Sequence, residues 1–282
     1  MYTVISKQLT KALLAPRLLQ AMLLSLLMAA SAWVLAHDSS KQKDTLYVVS
    51  ERWPGYSNAD GSGLYFELLK AVFEPAGVAV NIRIHPILRG IASLHSGEHA
   101  DVMLADWGRQ HLAKSPQYQL ERIIFPHYPI FVEYVEAVFA PESTLSWQQL
   151  KADSSKRLAW LRGYNYDIHL GLEQHPVTLL NSGEQGFKML IKGKIDCYLN
   201  DRSDLDVLVD TDVAKAVAWR KELVATRKLY PLFHNDPRGQ RFSDIYDRRM
   251  AAMQKSGELQ RLYQRFGKDY QQVLADEIDP VN

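Results

Sequence analysis

The feature that most constrains this chain is the order of its apolar segments, in which short strand-like runs alternate with segments of helical spacing. Residues 78–84 alternate apolar and polar side chains as a strand does, whereas 87–95 carry apolar residues at helical spacing. The first half predicts, in order, strand 46–49, helix 63–77, strand 78–84, helix 87–95 and strand 102–105. Strands alternating with helices predict an α/β fold on a mostly parallel sheet.

The same alternation starts again in the second half of the chain. It predicts strand 158–161, helix 167–173, strand 177–180, helix 183–192 and strand 197–199. Two such units in tandem predict two lobes that share a cleft, rather than one continuous barrel. Segment 242–266 has helical spacing that is interrupted at Ser256 and Gly257, so it predicts two further helices.

The first 36 residues have the layout of a signal peptide. A flank with Lys7, Lys11 and Arg17 precedes an apolar stretch, which is closed by small residues. We expect export to the periplasm and cleavage after Ala36, with Ala32 as the alternative site. An uncleaved membrane anchor is the rival interpretation, although the apolar stretch is short for a helix that needs roughly 20 apolar residues to span a bilayer.

Charge and cysteine content exclude several kinds of partner and chemistry. The chain has 33 basic and 32 acidic residues, and removing the leader's three basic residues leaves 30, a slightly acidic balance. This balance gives no indication of a nucleic acid or an anionic membrane as partner. Cys197 is the only cysteine, so no intramolecular disulfide can form. It lies in an apolar strand pattern, where a thiol behaves as a small hydrophobic group.

Four separated motifs follow one another along the chain. They are the loop 53–56 with Gly63 and the helix after it, the helix 87–94 leading through 96–98 to a strand that begins at 100–102, the segment 186–197, and the closing helix 256–266. Together, in this order, they resemble the family 3 solute-binding proteins, whose best-known members serve ABC importers of polar amino acids. The resemblance covers most of the chain after the leader.

This resemblance implies a two-lobed, type 2 periplasmic-binding-protein-like fold, in which each lobe is a mixed, mostly parallel sheet flanked by helices. Lobe one is expected to comprise residues 45–137 and 228–275, and lobe two residues 141–223. Two crossing strands join them, with hinges near 137–141 and 223–228. Because ligands of open α/β sheets bind beyond the carboxyl ends of the strands, we expect the cleft at the loops that follow them.

Candidate contacts in lobe one come from two loops. Trp53 and Tyr56 are expected to form an aromatic wall, with ordinary loop packing as the alternative. Arg109 matches the position where amino-acid binders place an arginine that clamps the ligand carboxylate, with a solvated surface position as the alternative. Trp107 is its neighbour on the same loop. Asp106 stands where such binders usually carry a small hydroxylated residue, and this acid weakens the expectation of an amino-acid ligand.

Candidate contacts in lobe two follow two strands. The turn after strand 158–161 contains Arg162, Gly163, Tyr164 and Asn165. Its backbone amides are placed to hold an anionic or carbonyl group, unless these residues only make the turn. Asn200 and Asp201 follow strand 197–199, and Asp201 matches an aspartate that binds the ligand ammonium in amino-acid binders. A cap for the next helix is the alternative role.

Two further features are weaker. Arg89 is expected to be a structural or interlobe arginine rather than a ligand clamp. His95 and His99 have a spacing that lets two imidazoles on a helix share a metal, but Gly97 interrupts that helix. We therefore expect no metal and no cofactor.

The leading hypothesis is a monomeric binding protein without catalytic activity. It would capture a small polar solute, an amino acid or related carboxylate, by cleft closure and deliver it to an inner-membrane ABC permease. A dehydratase-like enzyme on the same scaffold is the alternative, with Asp106 or Asp201 as acid or base. A solute sensor that serves no importer is the third hypothesis.

Overall fold

One mixed β-sheet runs through the protein in the computed structural model, which describes residues 44–208 and 217–278. Its strands are β1 (Asp44–Ser50), β2 (Val78–Ile84), β3 (Val102–Trp107), β4 (Ile123–Ile124), β5 (Phe131–Phe139), β6 (Leu158–Leu161), β7 (Val177–Leu180), β8 (Cys197–Asp201) and β9 (Arg220–His234). Their order across the sheet is β2-β1-β3-β9-β5-β8-β6-β7, and β4 pairs with β9. Neighbouring strands are therefore often distant in sequence.

Helices connect and cover these strands. They are α1 (Leu64–Phe73), α2 (Ile87–Ser96), α3 (Arg109–Leu112), α4 (Trp147–Ala152), α5 (Tyr166–Leu170), α6 (Gly183–Ile191), α7 (Arg202–Leu208), α8 (Pro237–Lys255), α9 (Glu258–Arg265) and α10 (Tyr270–Leu274), with short 3₁₀ turns at Glu74–Ala76 and Leu120–Arg122. The predicted strand and helix order is confirmed. The expected helix pair of segment 242–266 is also confirmed, but α8 begins earlier, at Pro237.

Two strands cross between the halves of the sheet. β5 and β9 are antiparallel and pair from Phe131 with Leu229 to Phe139 with Arg220. In one half β9 pairs with β3, which is parallel to β1, and in the other half β5 pairs with β8, which is parallel to β6. We call the half with β1–β4, α1–α3 and α8–α10 lobe one, and the half with β6–β8 and α4–α7 lobe two. The predicted two-lobed fold with crossing strands is confirmed.

Local signals explain where the closing helices begin and end. The Asp236 side chain accepts a hydrogen bond from the Gly239 amide at 2.6 Å and Pro237 occupies the first turn, which together favour a helix start. Gly257 has a φ of 72°, a left-handed conformation that separates α8 from α9. The break predicted at Ser256 and Gly257 therefore has a conformational cause.

Apolar clusters tie the two lobes to the crossing strands. One cluster packs α1, α8 and α9 on the lobe-one sheet, and another surrounds α6 in lobe two. A third runs across the crossing strands and includes Met103, Trp107, Val135 and Trp160. Cys197 is fully buried within it, and burial raises the pKa of its thiol. The packing role expected for this cysteine fits its position.

The predicted leader, with its cleavage site at Ala36, lies outside the described residues. In the part of the chain that is described, no helix has the length and apolar character needed to cross a membrane.

Candidate ligand-binding cleft

A cleft of about 720 Å³, counted out to its open mouth, lies between the two lobes. Side chains from lobe one, lobe two and the crossing strands line it. The lining residues are Trp53, Tyr56, Tyr65, Ile87, Ala105, Asp106, Trp107, Leu112, Ser115, Gln117, Tyr118, Phe131, Glu133, Gly163, Tyr164, Asn165, Tyr166, His169, Asp201, Ser203, Asp204 and Leu229.

An aromatic wall on lobe one follows β1. The Trp53 carbonyl accepts a hydrogen bond from the Tyr56 amide at 3.0 Å, which closes the loop. Gly63, with a φ of 116°, approaches this loop so closely that a Cβ there would lie 2.4 Å from the Tyr56 carbonyl oxygen. The loop places the Tyr56 ring 5.2 Å from that of Tyr65 and 4.9 Å from that of Phe131. Tyr65 and Phe131 thus join the two predicted aromatic residues in one cluster. Contact of this cluster with a ligand stays a prediction.

Glu133, on the crossing strand β5, links the lobes at the base of the cleft. Its carboxylate accepts one hydrogen bond from the Trp107 indole of lobe one and another, at 2.8 Å, from the Tyr166 hydroxyl of lobe two. The His169 ring packs 4.3 Å from that of Trp107, and its Nε2 lies 2.9 Å from the Ser115 hydroxyl oxygen. The lobes therefore contact each other across the cleft, as in a closed arrangement.

Two acids in the cleft are oriented by neutral donors. The Asp106 carboxylate accepts hydrogen bonds from the Trp107 amide at 2.7 Å and from the Tyr118 hydroxyl. The Asp204 carboxylate accepts one from the Tyr164 hydroxyl at 3.1 Å. Both carboxylates keep acceptor capacity, because a carboxylate has about four lone-pair positions.

Asp201 ends β8 at the start of α7. Its carboxylate accepts hydrogen bonds from the Tyr134 amide at 2.9 Å, from the Ser203 amide at 2.8 Å, and from the Ser203 hydroxyl. Asp201 therefore bonds the first turn of α7, as the helix-cap alternative expects, and it also lines the cleft. Its contact with a ligand stays a prediction.

Burial shifts the pKa values of these groups. It raises the pKa of Asp106 to about 6 and that of Glu133 to about 8, the latter helped by repulsion from Asp201. Burial, with repulsion from Asp201, raises the pKa of Asp204 to about 7, and burial also raises that of Asp201. The pKa of His169 falls to about 4, because burial disfavours its charged form.

The structure brings most of the predicted contacts together. Those in the lining are Trp53, Tyr56, Asp106, Trp107, Gly163, Tyr164, Asn165 and Asp201. Asn165 is in the left-handed conformation, with a φ of 50°, so it also makes the turn before α5.

Arg109, Arg162 and Asn200 lie outside the lining. The Arg109 guanidinium donates to the Ile123 carbonyl at 3.1 Å and stands 4.7 Å from the centre of the Phe125 ring. Arg162 is exposed. Asn200 is fully buried, and its amide donates to the Tyr198 hydroxyl at 2.7 Å.

Several lining residues were not predicted from the sequence. Glu133 carried a signal, because it and Glu136 are the two acids of a mostly apolar strand. Ser203 and Asp204 lie two and three residues after a predicted contact. Tyr118 and His169 carried none, since one lies in an irregular loop and the other on a short helix.

The weaker sequence features remain outside the cleft. Arg89 is exposed and does not belong to the lining. His95 is engaged with the Gln119 amide at 3.3 Å. Residues 44–208 and 217–278 hold no group of three or more His, Cys, Asp or Glu side chains arranged to bind a metal.

The strand order, the crossing strands and the interlobe cleft define the fold as that of type 2 periplasmic binding proteins. No protein-family model matches the chain, and no curated protein matches its sequence. Solved structures do match. One is the amino acid ABC transporter substrate-binding protein AbpA from Streptococcus pneumoniae bound to L-arginine, with TM-score 0.60, 16% identity, and coverage of 81% of this chain and 97% of that chain.

Two other matches are proteins of different kinds. An ancestral amino acid-binding protein, a precursor of cyclohexadienyl dehydratase, has TM-score 0.60, 16% identity, and coverage of 82% of this chain and 99% of its own. A histidine kinase sensor domain with similarity to periplasmic binding proteins has TM-score 0.63, 15% identity, and coverage of 81% and 97%. At these low identities the structural similarity establishes the fold alone, and the resemblance drawn from the sequence motifs is confirmed at that level.

Proposed function

We propose that this protein is a periplasmic binding protein that captures a small solute by closing its two lobes around it. The observation that carries the proposal is the cleft, which is lined from both lobes and joined at its base by Glu133. Two crossing strands allow lobes to rotate as bodies, and closure buries the solute. The matched transporter component AbpA supports delivery to an inner-membrane ABC permease.

Binding without chemistry is favoured over the dehydratase alternative. Asp106 and Asp201 both line the cleft, yet each is held by neutral hydrogen-bond donors of the protein. Recovery of the bound solute unchanged, by mass spectrometry after prolonged incubation with the protein, is the expected result. A product of different mass would instead support the enzyme.

The test of solute capture is a metabolite screen by thermal shift, followed by small-angle scattering. A ligand that binds only the folded protein raises its melting temperature by mass action. We expect at least one small polar solute to do so and to reduce the radius of gyration. The variant Tyr164→Ala, in the cleft, should lose the shift, whereas Tyr47→Ala, exposed on β1, should retain it. The proposal would be contradicted by a solute that raises the melting temperature of the Tyr164→Ala variant as much as that of the wild type and does not reduce the radius of gyration.

Export and transport need separate measurements. Intact mass of the periplasmic protein should show a chain that starts after Ala36, and a chain with the leader intact would contradict cleavage. Deletion of the gene should abolish uptake of the labelled solute if the protein serves an importer. Unchanged uptake, with a changed transcriptional response to the solute, would support the sensor alternative.

A further inference from the structure

The charge of the cleft lining has one sign. Four carboxyl groups line it, namely Asp106 of lobe one, Glu133 of the crossing strand, and Asp201 and Asp204 of lobe two. Among the described residues that line the cleft, none is Lys or Arg. A ligand carboxylate would therefore meet acidic groups on several sides and no cationic side chain.

The hydrogen bonds to these acids do not neutralise them. Their donors are indole, hydroxyl and backbone amide groups, all of them uncharged. Cations that lie near the cleft without lining it include the Lys268 ammonium, 5.2 Å from the Tyr56 ring centre, and the Arg227 guanidinium, 6.0 Å from that of Trp107. Buried carboxylates are costly unless a positive charge accompanies them, so the cleft favours a cation inside.

Aromatic faces provide a second attraction for a cation. Eight lining residues are aromatic: Trp53, Tyr56, Tyr65, Trp107, Tyr118, Phe131, Tyr164 and Tyr166. They come from both lobes, and an organic cation placed over such faces is attracted by the ring quadrupoles, while its alkyl carbons lose water.

The expected clamp for a carboxylate is engaged elsewhere. Arg109 donates to the Ile123 carbonyl and stacks on Phe125, outside the lining. At the end of the preceding strand, β3, Asp106 presents an acidic group to the cleft. An α-carboxylate near the end of β3 would be repelled rather than bound.

We infer that the ligand is an organic cation without a carboxylate, of the alkyl amine or alkylammonium class. This inference rests on the proposed function, because it specifies which solute the closing cleft would hold. It replaces the amino acid of the initial hypothesis with the amine that decarboxylation of a basic amino acid would produce.

Matched pairs of compounds give the sharpest test. Agmatine and cadaverine differ from arginine and lysine only in lacking the α-carboxylate, choline is a permanent cation, and glucose is neutral. Calorimetry on the full-length mature protein should show at least one of the three cations binding, and each amine that binds should do so about tenfold or more tighter than its parent amino acid.

The outcomes separate the two proposals. Tighter binding of the parent amino acids, or binding of glucose alone, would overturn the cation inference and leave solute capture standing. No binding by the whole panel would also overturn it, and the broader metabolite screen would then decide on solute capture.

Two variants test the role of the acids. Asp106→Asn and Asp204→Asn keep size and one acceptor oxygen but remove charge, so each should weaken the binding of the amine by about tenfold or more. Asp276→Asn, at an exposed position outside the lining, is the control and should change little. Unfolding curves at the same pH establish that each variant is folded. Unchanged affinity in both cleft variants would contradict the inference.

Proton release provides an independent readout. The groups that face one another around the cleft are Glu51, Asp106, Tyr118, Glu133, Tyr164, Tyr166, His169, Asp201 and Asp204. A bound cation favours ionised carboxylates, so it lowers their raised pKa values and displaces protons. Calorimetry with choline or the best amine near pH 7, in two buffers of different ionisation enthalpy, should show net release. Zero release or net uptake would contradict a cation held by these acids.

Discussion

Replacing Glu133 with glutamine tests how the base of the cleft is held together. Glu133 is only 8% exposed, and its carboxyl pKa is raised from 4.5 to about 8, chiefly by burial. Between these pH values the folded protein retains a proton that the unfolded chain releases, so stability falls as pH rises. One unit of pKa shift corresponds to about 1.36 kcal/mol, so the loss of stability across this pH range is on the order of a few kcal/mol.

Glutamine retains a carbonyl oxygen for the Trp107 indole and an amide that can donate to the Tyr166 hydroxyl oxygen, but it does not titrate. We therefore expect Glu133→Gln to be more stable than the wild type at pH 8 and close to it at pH 5. Urea unfolding followed by tryptophan fluorescence at both pH values measures this. Glu98→Gln, at a side chain that is 76% exposed, is the control. Parallel pH profiles for the wild type and Glu133→Gln would refute the reasoning.

Three further predictions follow from individual contacts. Ser115 and His169 share a buried hydrogen bond between the lobes, so a double-mutant cycle with Ser115→Ala and His169→Phe should show a coupling energy of about 1 kcal/mol in the affinity for the best ligand. Additive losses of affinity would contradict this. In urea titrations, Gly63→Ala should lower the free energy of unfolding by about 2 kcal/mol more than Gly77→Ala, because a Cβ at Gly63 would meet the Tyr56 carbonyl oxygen whereas one at Gly77 meets open space. Equal losses would contradict this. Cys197 should react with a thiol reagent only after unfolding, and rapid modification of the native protein would contradict its burial.

Local patterns were sufficient for most of the regular structure. β2, β6 and β7 have the predicted bounds, because each is a short run of strand-forming residues. β9 could not be located in this way. It contains charged residues along much of its length, and one of its buried positions is Arg227, which is only 2% exposed. The alternation of apolar and polar residues that marks a strand is therefore not visible in this segment. Its role as a crossing strand followed from the resemblance to a known fold, since strand pairing is non-local.

The cleft was predictable in position but not in charge. The carboxyl ends of strands supplied Asp106 and Asp201, and the loop after β1 supplied Trp53, as expected for an α/β sheet. The direction of a side chain does not follow from its place in a loop. Arg109 follows β3 as predicted, yet it begins α3 and its guanidinium bonds β4. Glu133 lies in the site because β5 crosses between the lobes. The acid in a mostly apolar strand was a local signal, but the crossing of that strand is not visible in any local pattern.

The position of β9 has a consequence for folding during synthesis. This strand is near the C-terminus in sequence but central in the sheet, between β3 and β5. Until residues 220–234 leave the ribosome, β3 has an unpaired edge and lobe one lacks the helices that follow β9. Late pairing between distant segments slows folding and leaves strand edges exposed to other chains. A nascent chain of this protein therefore has a long interval in which holding chaperones would be needed, and a chain truncated before Arg220 should aggregate.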